Sequence, residues 1–298
     1  MKKAAERLRW IWSHPANRHR RWRALARAVA WQASKRLWAR PWDLELYDGC
    51  RVRCHLDDDA AVLALYTGGW HDWHEMGFLR DYLRPGDHFL DVGANIGLYA
   101  LLAARLVGPT GRVEALEPDP LVGRRLQDNL ARNPGAPVQV HAVAAGSAEG
   151  TARFVTQRGT SNHLARSDDD PGNVIEVRTV TLDAEFSHCQ FAAAKMDIEG
   201  AEPLALAGAE RMLASHNPPV WLLELNGQLR SYGFTEQGLA KRCTASNPCD
   251  DPPDYECTGY VNANGQCMVW NPQGWYFTYN GCAPRRSYCN AYGSCWCY

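Results

Sequence analysis

Short apolar runs alternate with longer stretches of helical spacing through the middle of the chain. His88-Phe89-Leu90-Asp91-Val92 is mostly apolar and suits a buried strand. Arg112-Val113-Glu114-Ala115-Leu116-Glu117 predicts a second strand, Ala192-Ala193-Ala194-Lys195-Met196-Asp197 a third, and Val220-Trp221-Leu222-Leu223-Glu224-Leu225-Asn226 a fourth. Leu98, Leu101, Leu102 and Leu106 recur as one face of a helix that begins near Ile96. Another helix is expected from Pro203 to Leu213. Residues 43–57 alternate in character around Asp48-Gly49, which reads as a hairpin. Near the N-terminus, Trp22, Leu25, Ala26, Val29, Ala33 and Leu37 also recur at helical spacing, between Pro15 and Pro41. Their other face is rich in arginine.

The joint after the first strand carries the chemistry. Gly93 and Gly97 let the backbone bend sharply, and neither has a Cβ to keep a ligand away. The helix that follows aims its N-terminal N–H groups at the same place. Glu117 closes the second strand, where an acid can accept hydrogen bonds from both hydroxyls of a ribose. The dinucleotide fingerprint Gly-x-Gly-x-x-Gly is incomplete, because Asn95 stands where its second glycine would be. A side chain there disfavours the close approach of a pyrophosphate. S-adenosylmethionine has no phosphate, so the turn favours it over NAD. Asp91 is expected to meet its ammonium, directly or through water. The amides of Gly93, Asn95 and Gly97 are expected near its carboxylate.

Asp91, Glu117, Asp197 and Glu224 each fall at or near a strand end. Open parallel sheets bind ligands beyond the carboxyl ends of their strands. If such a cofactor gave its methyl group to an oxygen, a base within hydrogen-bond reach would be needed. Asp197 is the first candidate and Glu199 the second, with Glu224 on the acceptor side. Asp197 has a structural alternative, holding turn amides or the methionine ammonium. Glu202 is expected to charge the first turn of its helix. Lys195 pairs with one of these acids or is solvated. His163, in a polar loop, is either a base or acceptor contact or a plain loop histidine. His71 and His74, with Asp72 and Glu75, resemble half a metal site, but nothing else at ligand spacing accompanies them, and no metal is assigned.

The residues 84–97 (Arg84-Pro85-Gly86-Asp87 through Gly97), then Leu116-Glu117-Pro118-Asp119-Pro120, Thr181-Leu182-Asp183 and Lys195-Met196-Asp197-Ile198-Glu199-Gly200-Ala201-Glu202 resemble the FkbM family of methyltransferases. The resemblance covers roughly residues 15–242, and the last run is its most specific part. It implies an α/β, Rossmann-like class I methyltransferase fold: a mostly parallel twisted sheet with helices on both faces, preceded by a helical region and a hairpin. It also implies methyl transfer from S-adenosyl-L-methionine, usually to a hydroxyl of a sugar, glycan or natural product.

Composition adds two complications. The 298 residues carry a net charge of −1, yet residues 1–40 hold twelve Lys/Arg and one acid, Glu6. This basic, Trp-bearing region, 1–42, reads as a lid helix on the core of residues 43–242, whose Rossmann-like part starts near 78. It also suits a peripheral contact with anionic membrane, and suits nucleic acid less. No apolar run approaches a membrane span or the core of a secretory signal, so a cytoplasmic enzyme is expected, with a membrane-peripheral alternative. Residues 243–298 then hold eight of the eleven cysteines. That count fits a disulfide framework in an oxidising compartment, as in a secreted interaction module on a methyltransferase-like scaffold. It equally fits a reduced tail, whose residues 265–270 and 275–279 form a hairpin replacing the family's closing strands, or a frameshift or fusion joint. A catalytically idle relative is the remaining alternative. Nothing in the sequence sets the oligomeric state or names the methyl acceptor.

Overall fold

The computed structural model describes residues 2–157, 159–166, 169, 171–224 and 227–234, together with five backbone strands between residues 259 and 297. The chain opens with helices α1 (Lys2–Ser13) and α2 (Arg21–Leu37), followed by a hairpin of β1 (Trp42–Glu45) and β2 (Arg51–Cys54). Asp48 and Gly49 turn the hairpin with φ of 49° and 73°. Helices α3 (Asp59–Thr67) and α4 (Trp73–Tyr82) lead to the main sheet.

Its strands are β3 (His88–Val92), β4 (Arg112–Leu116) and β5 (Val138–His141), joined by α5 (Leu98–Val107) and α6 (Pro120–Ala131). A smaller four-stranded sheet intervenes: β6 (Ala144–Ala145), β7 (Gly150–Val155), β8 (His163–Leu164) and β9 (Val174–Val180). After α7 (Leu182–Glu185), β10 (Ala193–Met196) returns to the main sheet. Helices α8 (Glu202–Ala207) and α9 (Glu210–Ala214) then lead to β11 (Val220–Glu224). The helix expected from Pro203 to Leu213 is thus broken in two at Gly208-Ala209.

Strands β11, β10, β3, β4 and β5 lie side by side and parallel, in that order. Their residues alternate between two apolar cores. Phe89, Val113, Ala115, Ala193, Val220 and Leu222 face one side. Leu90, Val92, Leu116, Ala194, Met196, Trp221 and Leu223 face the other. Both faces are covered, which is why these strands read as near-continuous apolar runs. The chain builds outward from β3 to β5, then crosses back to β10 on the other flank of β3. The crevice between β3 and β10 is therefore the switch point of the sheet.

Beyond β11 the sheet continues through β12 (Gly259–Val261), β13 (Cys267–Trp270) and β14 (Trp275–Tyr279), in the order β12, β13, β14, β11. β14 runs antiparallel to β11, with Val220 opposite Tyr279 and Glu224 opposite Trp275. Two short strands, β15 (Ser287–Cys289) and β16 (Cys295–Cys297), pair separately. Cys243, Cys249, Cys257 and Cys282 lie outside the described residues, so the disulfide reading of this segment does too. Cys50, Cys54 and Cys189 are buried free thiols.

The N-terminal region packs on the core, but not with the face its spacing suggests. Ala24, Ala28, Trp31 and Ser34 are the buried residues of α2. Trp22, Ala26, Val29, Ala33 and Leu37 are exposed. Two apolar stripes run along this helix, and the wider one in sequence is the outer one. The outer edge of β2 is met by side chains of another element. Asn133 accepts from the Arg51 N–H at 2.9 Å and donates to the Arg51 carbonyl at 2.7 Å. Asn129 accepts from the Arg53 N–H at 2.9 Å and donates to the Ile96 carbonyl at 2.9 Å.

Candidate active site

A cavity of about 250 Å³ opens at the carboxyl ends of β3, β4 and β10. Its floor is the turn Val92 to Ile96. Gly93, Asn95 and Gly97 all have positive φ, 83°, 52° and 90°. Asparagine tolerates that region better than most residues because its side chain bonds locally. Here Asn95 Oδ1 accepts from the Ile96 N–H at 2.8 Å. The two glycines make room for protein rather than for ligand. A Cβ on Gly93 would lie 2.0 Å from the Asp197 carbonyl oxygen, and one on Gly97 would lie 2.4 Å from Leu126. The ends of β3 and β10 can be this close only because position 93 lacks a side chain.

Glu117 stands on the β4 side of the cavity, nearly buried. Its two oxygens accept from the Asn95 N–H and the Asp119 N–H, each at 2.9 Å. Burial pushes its carboxyl up to about 7, against the pull of those two amides. Each oxygen keeps a second lone pair for a ligand hydroxyl. Asp119 caps α6 by accepting from Leu121 and Val122, and its other oxygen accepts from Asn162, just before β8.

Asp91 lies beneath the cavity and does not line it. It is 0 % exposed, and the one donor that reaches it is the Ala100 N–H, in a bond too poor to satisfy either oxygen. Burial raises its carboxyl to about 6, with Lys195 pulling the other way. Asp91 and Lys195 are register partners on β3 and β10. The expected direct contact of Asp91 with a ligand ammonium is therefore corrected: Asp91 does not reach the cavity wall, and Lys195 is the cation that offsets its charge. Lys195 is 4 % exposed, its Nζ 3.2 Å from Asp197 Oδ2 and 4.9 Å from the centre of the Tyr99 ring. Burial works against its charge, but Asp197 and Asp91 together hold the ammonium above its usual range.

Asp197 and Glu224 both line the cavity. Burial disfavours the Asp197 carboxylate, but Lys195 and a hydrogen bond from Glu224 outweigh it and hold the group below its usual value. Glu224, by burial and by the negative charge of Asp197, is pushed up to about 11 and keeps its proton. Glu199 lines the cavity too, at φ 58°. Its carboxylate accepts from the Gln228 amide, and its carbonyl accepts from Arg166 at 2.7 Å. Glu202 does not cap its own helix. It reaches back to accept from the Ile198 and Gly200 N–H groups, 2.9 and 3.3 Å away, and so pins the turn that carries Asp197 and Glu199.

His163 is a clamp in its loop. It is 2 % exposed and absent from the cavity wall; one ring nitrogen lies 2.7 Å from the Ser161 carbonyl and the other 3.0 Å from Asp169. Its acceptor-side assignment is corrected accordingly. Its neighbours Asn162 and Leu164 do reach the cavity. The wall also includes three residues given no catalytic part from sequence: His71, Asp72 and Tyr99. Tyr99 donates to Asp72 Oδ2 at 2.9 Å, and His71 Nε2 lies 3.3 Å from the same oxygen. His14, at the end of α1, donates to the His71 carbonyl at 3.0 Å. The unusual His71-Asp72 pair was the available signal. Among the described residues no cluster of three or more His, Cys, Asp or Glu could hold a metal ion.

The family described as the methyltransferase FkbM domain matches residues 91–243, just over half of the chain. The chain belongs to that family. The FkbM match opens at Asp91, the acid of β3, and takes in the turn, Glu117, the smaller sheet, Asp197 and Glu224. The cofactor that goes with this class I methyltransferase fold is S-adenosylmethionine, and the residues present fit it: a buried acid at the β4 end with spare lone pairs, a positive-φ turn, and no second glycine for a pyrophosphate. Demethylmenaquinone methyltransferase of Symbiobacterium thermophilum is 40 % identical over 55 residues, 18 % of this chain and 22 % of that protein. Protein-L-isoaspartate O-methyltransferase of Triticum aestivum is 40 % identical over 58 residues, 20 % of this chain and 25 % of that protein. The chain thus spans about a quarter or less of these relatives. Among solved structures, fibrillarin of Aeropyrum pernix in complex with S-adenosyl-L-methionine is 13 % identical, covering 82 % of this chain and 83 % of that one, with a TM-score of 0.38. An S-adenosylmethionine-dependent O-methyltransferase of Thermotoga maritima is 12 % identical, covering 71 % and 66 %, with a TM-score of 0.37.

Proposed function

We propose that this FkbM-domain protein transfers a methyl group from S-adenosylmethionine to a hydroxyl oxygen of a small or glycan-like acceptor. The observation that carries this reading is the pairing of two unlike acidic sites across one cavity. Glu117 faces it from β4, and the Asp197–Glu224 pair faces it from β10 and β11. Glu117 suits the ribose. The apolar wall of Leu116, Val122, Val143 and Phe154 suits the flat adenine ring. The amides expected to meet the methionine carboxylate are spent within the protein: Gly93 and Ala94 donate to the Leu116 carbonyl, Asn95 to Glu117, Ile96 to Asn95 Oδ1 and Gly97 to the Ala94 carbonyl, so the turn shapes the floor of the cavity rather than donating into it.

When bound, the cofactor supplies a methyl group already activated on a sulfonium. The protein is left with alignment, exclusion of water and one proton. Asp197 is charged and turned into the cavity, so it orients the acceptor hydroxyl as a hydrogen-bond donor. A carboxylate held below its usual range is a weak base for a free alcohol. It suffices here, because the hydroxyl proton becomes strongly acidic as its oxygen gains the methyl group. Glu224 keeps the Asp197 carboxylate in place with its own hydrogen bond. Glu199 borders the same space, with its carboxylate held by Gln228.

Calorimetric titration with S-adenosylmethionine tests the cofactor half of this reading. Micromolar binding that weakens at least tenfold in Glu117→Ala supports it, and no binding by the wild type overturns it. Mass-spectrometric detection of a gain of one methyl group, screened over glycans, lipids and polyketides, tests the acceptor half.

A further inference from the structure

Helix α2 carries apolar residues on two opposite sides. Ala24, Ala28 and Trp31 face the core. Trp22, Ala26, Val29, Ala33 and Leu37 recur at i, i+4, i+7, i+11 and i+15 and line the outer side. Trp22 is 75 % exposed, Val29 62 % and Leu37 69 %, and Trp38, just past the helix, is 65 % exposed. α1 extends this surface. Trp12 meets Trp22 edge-on with ring centroids 4.9 Å apart, and the Arg21 guanidinium lies 5.3 Å from the Trp12 ring. From Trp22 to Leu37 the stripe is about 22 Å long at the rise of a helix.

Charge says what such a stripe meets. Twelve Lys/Arg and one acid lie in residues 1–40. Arg21 and Arg23 flank Trp22 around the helix, Arg36 borders Leu37, and all three are exposed. No helix among the described residues is long and apolar enough to cross a membrane. A helix with an outward apolar stripe, arginines on its flanks and tryptophans at its edge suits the headgroup layer of a bilayer lying parallel to it. Phosphates of a nucleic acid would neutralise the arginines but leave Trp22, Val29 and Leu37 in water. A second copy of this region would set two strongly basic surfaces against each other.

We propose that α1 and α2 seat the protein on an anionic lipid surface, with the Trp22–Leu37 stripe immersed at the headgroup boundary and the arginines on lipid phosphates. The test is flotation of the full chain with phosphatidylcholine vesicles and with phosphatidylcholine–phosphatidylglycerol vesicles at physiological salt. The expected result is binding to the anionic vesicles at least about tenfold tighter than to the neutral ones. Trp22→Ser combined with Val29→Ser and Leu37→Ser should weaken that binding about tenfold or more, with an unchanged melting temperature. Arg21→Glu with Arg36→Glu should abolish the preference for anionic lipid. No flotation of the wild type, flotation indifferent to the triple substitution, or retention on duplex DNA in place of vesicles overturns the proposal. So does a lipid-free dimer that the triple substitution dissolves, because the stripe would then be a subunit interface.

Discussion

Glu224 donates a hydrogen bond to Asp197 across the ends of two neighbouring strands, and the two carboxyl groups hold one proton between them. Like charges this close cannot both ionise, so one partner becomes a donor. An amide can imitate that donor. Glu224→Gln is therefore expected to lower methyl transfer by less than about tenfold, and Asp197→Asn by about a hundredfold or more. Initial rates with labelled S-adenosylmethionine and an acceptor from the screen decide it. Equal losses in the two variants would contradict the division of roles.

Lys195 is the cation shared by the buried Asp91 and the half-buried Asp197. Lys195→Met leaves Asp91 buried without it and Asp197 without its main counter-charge. The expected cost is about 3–5 kcal/mol in urea unfolding. Asp91→Asn in the same chain should recover a good part of that, because it removes a buried acid that has no well-formed hydrogen bond. A Lys195→Met variant as stable as the wild type would show that the network carries no such energy.

Burial leaves Asp91 at about 6, and Glu117 and Glu202 at about 7. All three lie above their unfolded values, so the folded chain binds more protons than the unfolded one between about pH 4 and pH 7. Stability from these groups is full below that window and is lost as pH rises through it. Each group accounts for up to about 3 kcal/mol. The melting temperature of the ligand-free protein is expected to fall by several degrees from pH 5 to pH 8; a rise would refute the assignment.

The same Glu117 makes cofactor binding depend on pH in the opposite sense. Ribose hydroxyls bond best to the ionised carboxylate, so affinity for S-adenosylmethionine should increase as pH rises through about 7. A several-fold larger Kd at pH 6 than at pH 8 is expected, and Glu117→Gln should flatten that profile.

Gly93 and Gly108 separate backbone strain from crowding. Both have positive φ, but a Cβ at Gly108 meets nothing within 4 Å, whereas one at Gly93 collides with the Asp197 carbonyl. Gly108→Ala should cost about 1–3 kcal/mol, because its backbone (φ 64°, ψ −173°) lies in a region open essentially to glycine alone. Gly93→Ala should cost more than Gly108→Ala and weaken cofactor binding as well, because β3 and β10 must part at the floor of the cavity.

The parallel strands were legible in the sequence because both faces of the sheet are buried, which leaves unbroken apolar runs such as Phe89-Leu90 and Ala193-Ala194. The turn at Gly93 was legible too, although its glycine serves strand packing more than ligand approach. Helical spacing found α2 but could not tell which of its two apolar stripes faces inward, since periodicity carries no address. Asp91 was misread for a related reason: a strand-end acid and a buried counter-ion look alike until the neighbouring strand supplies Lys195. His71, Asp72 and Tyr99 come from two segments that meet only in three dimensions. His163 kept both of its readings until Ser161 and Asp169 were found on its two ring nitrogens.

The asparagine contacts on β2 have a consequence for how the molecule is held together. Residues 51 and 53 lie one strand repeat apart, about 6.6 Å, and residues 129 and 133 lie about one helical turn apart, close to 6 Å. The match lets α6 and the turn after it stand in as the third strand of the hairpin, closing an edge that could otherwise recruit another chain. α6 starts at the Asp119 cap, two residues from Glu117. The helix that closes the hairpin edge is thus the same one that starts beside the acid at the cofactor end of the cavity, so the hairpin and Glu117 share one support.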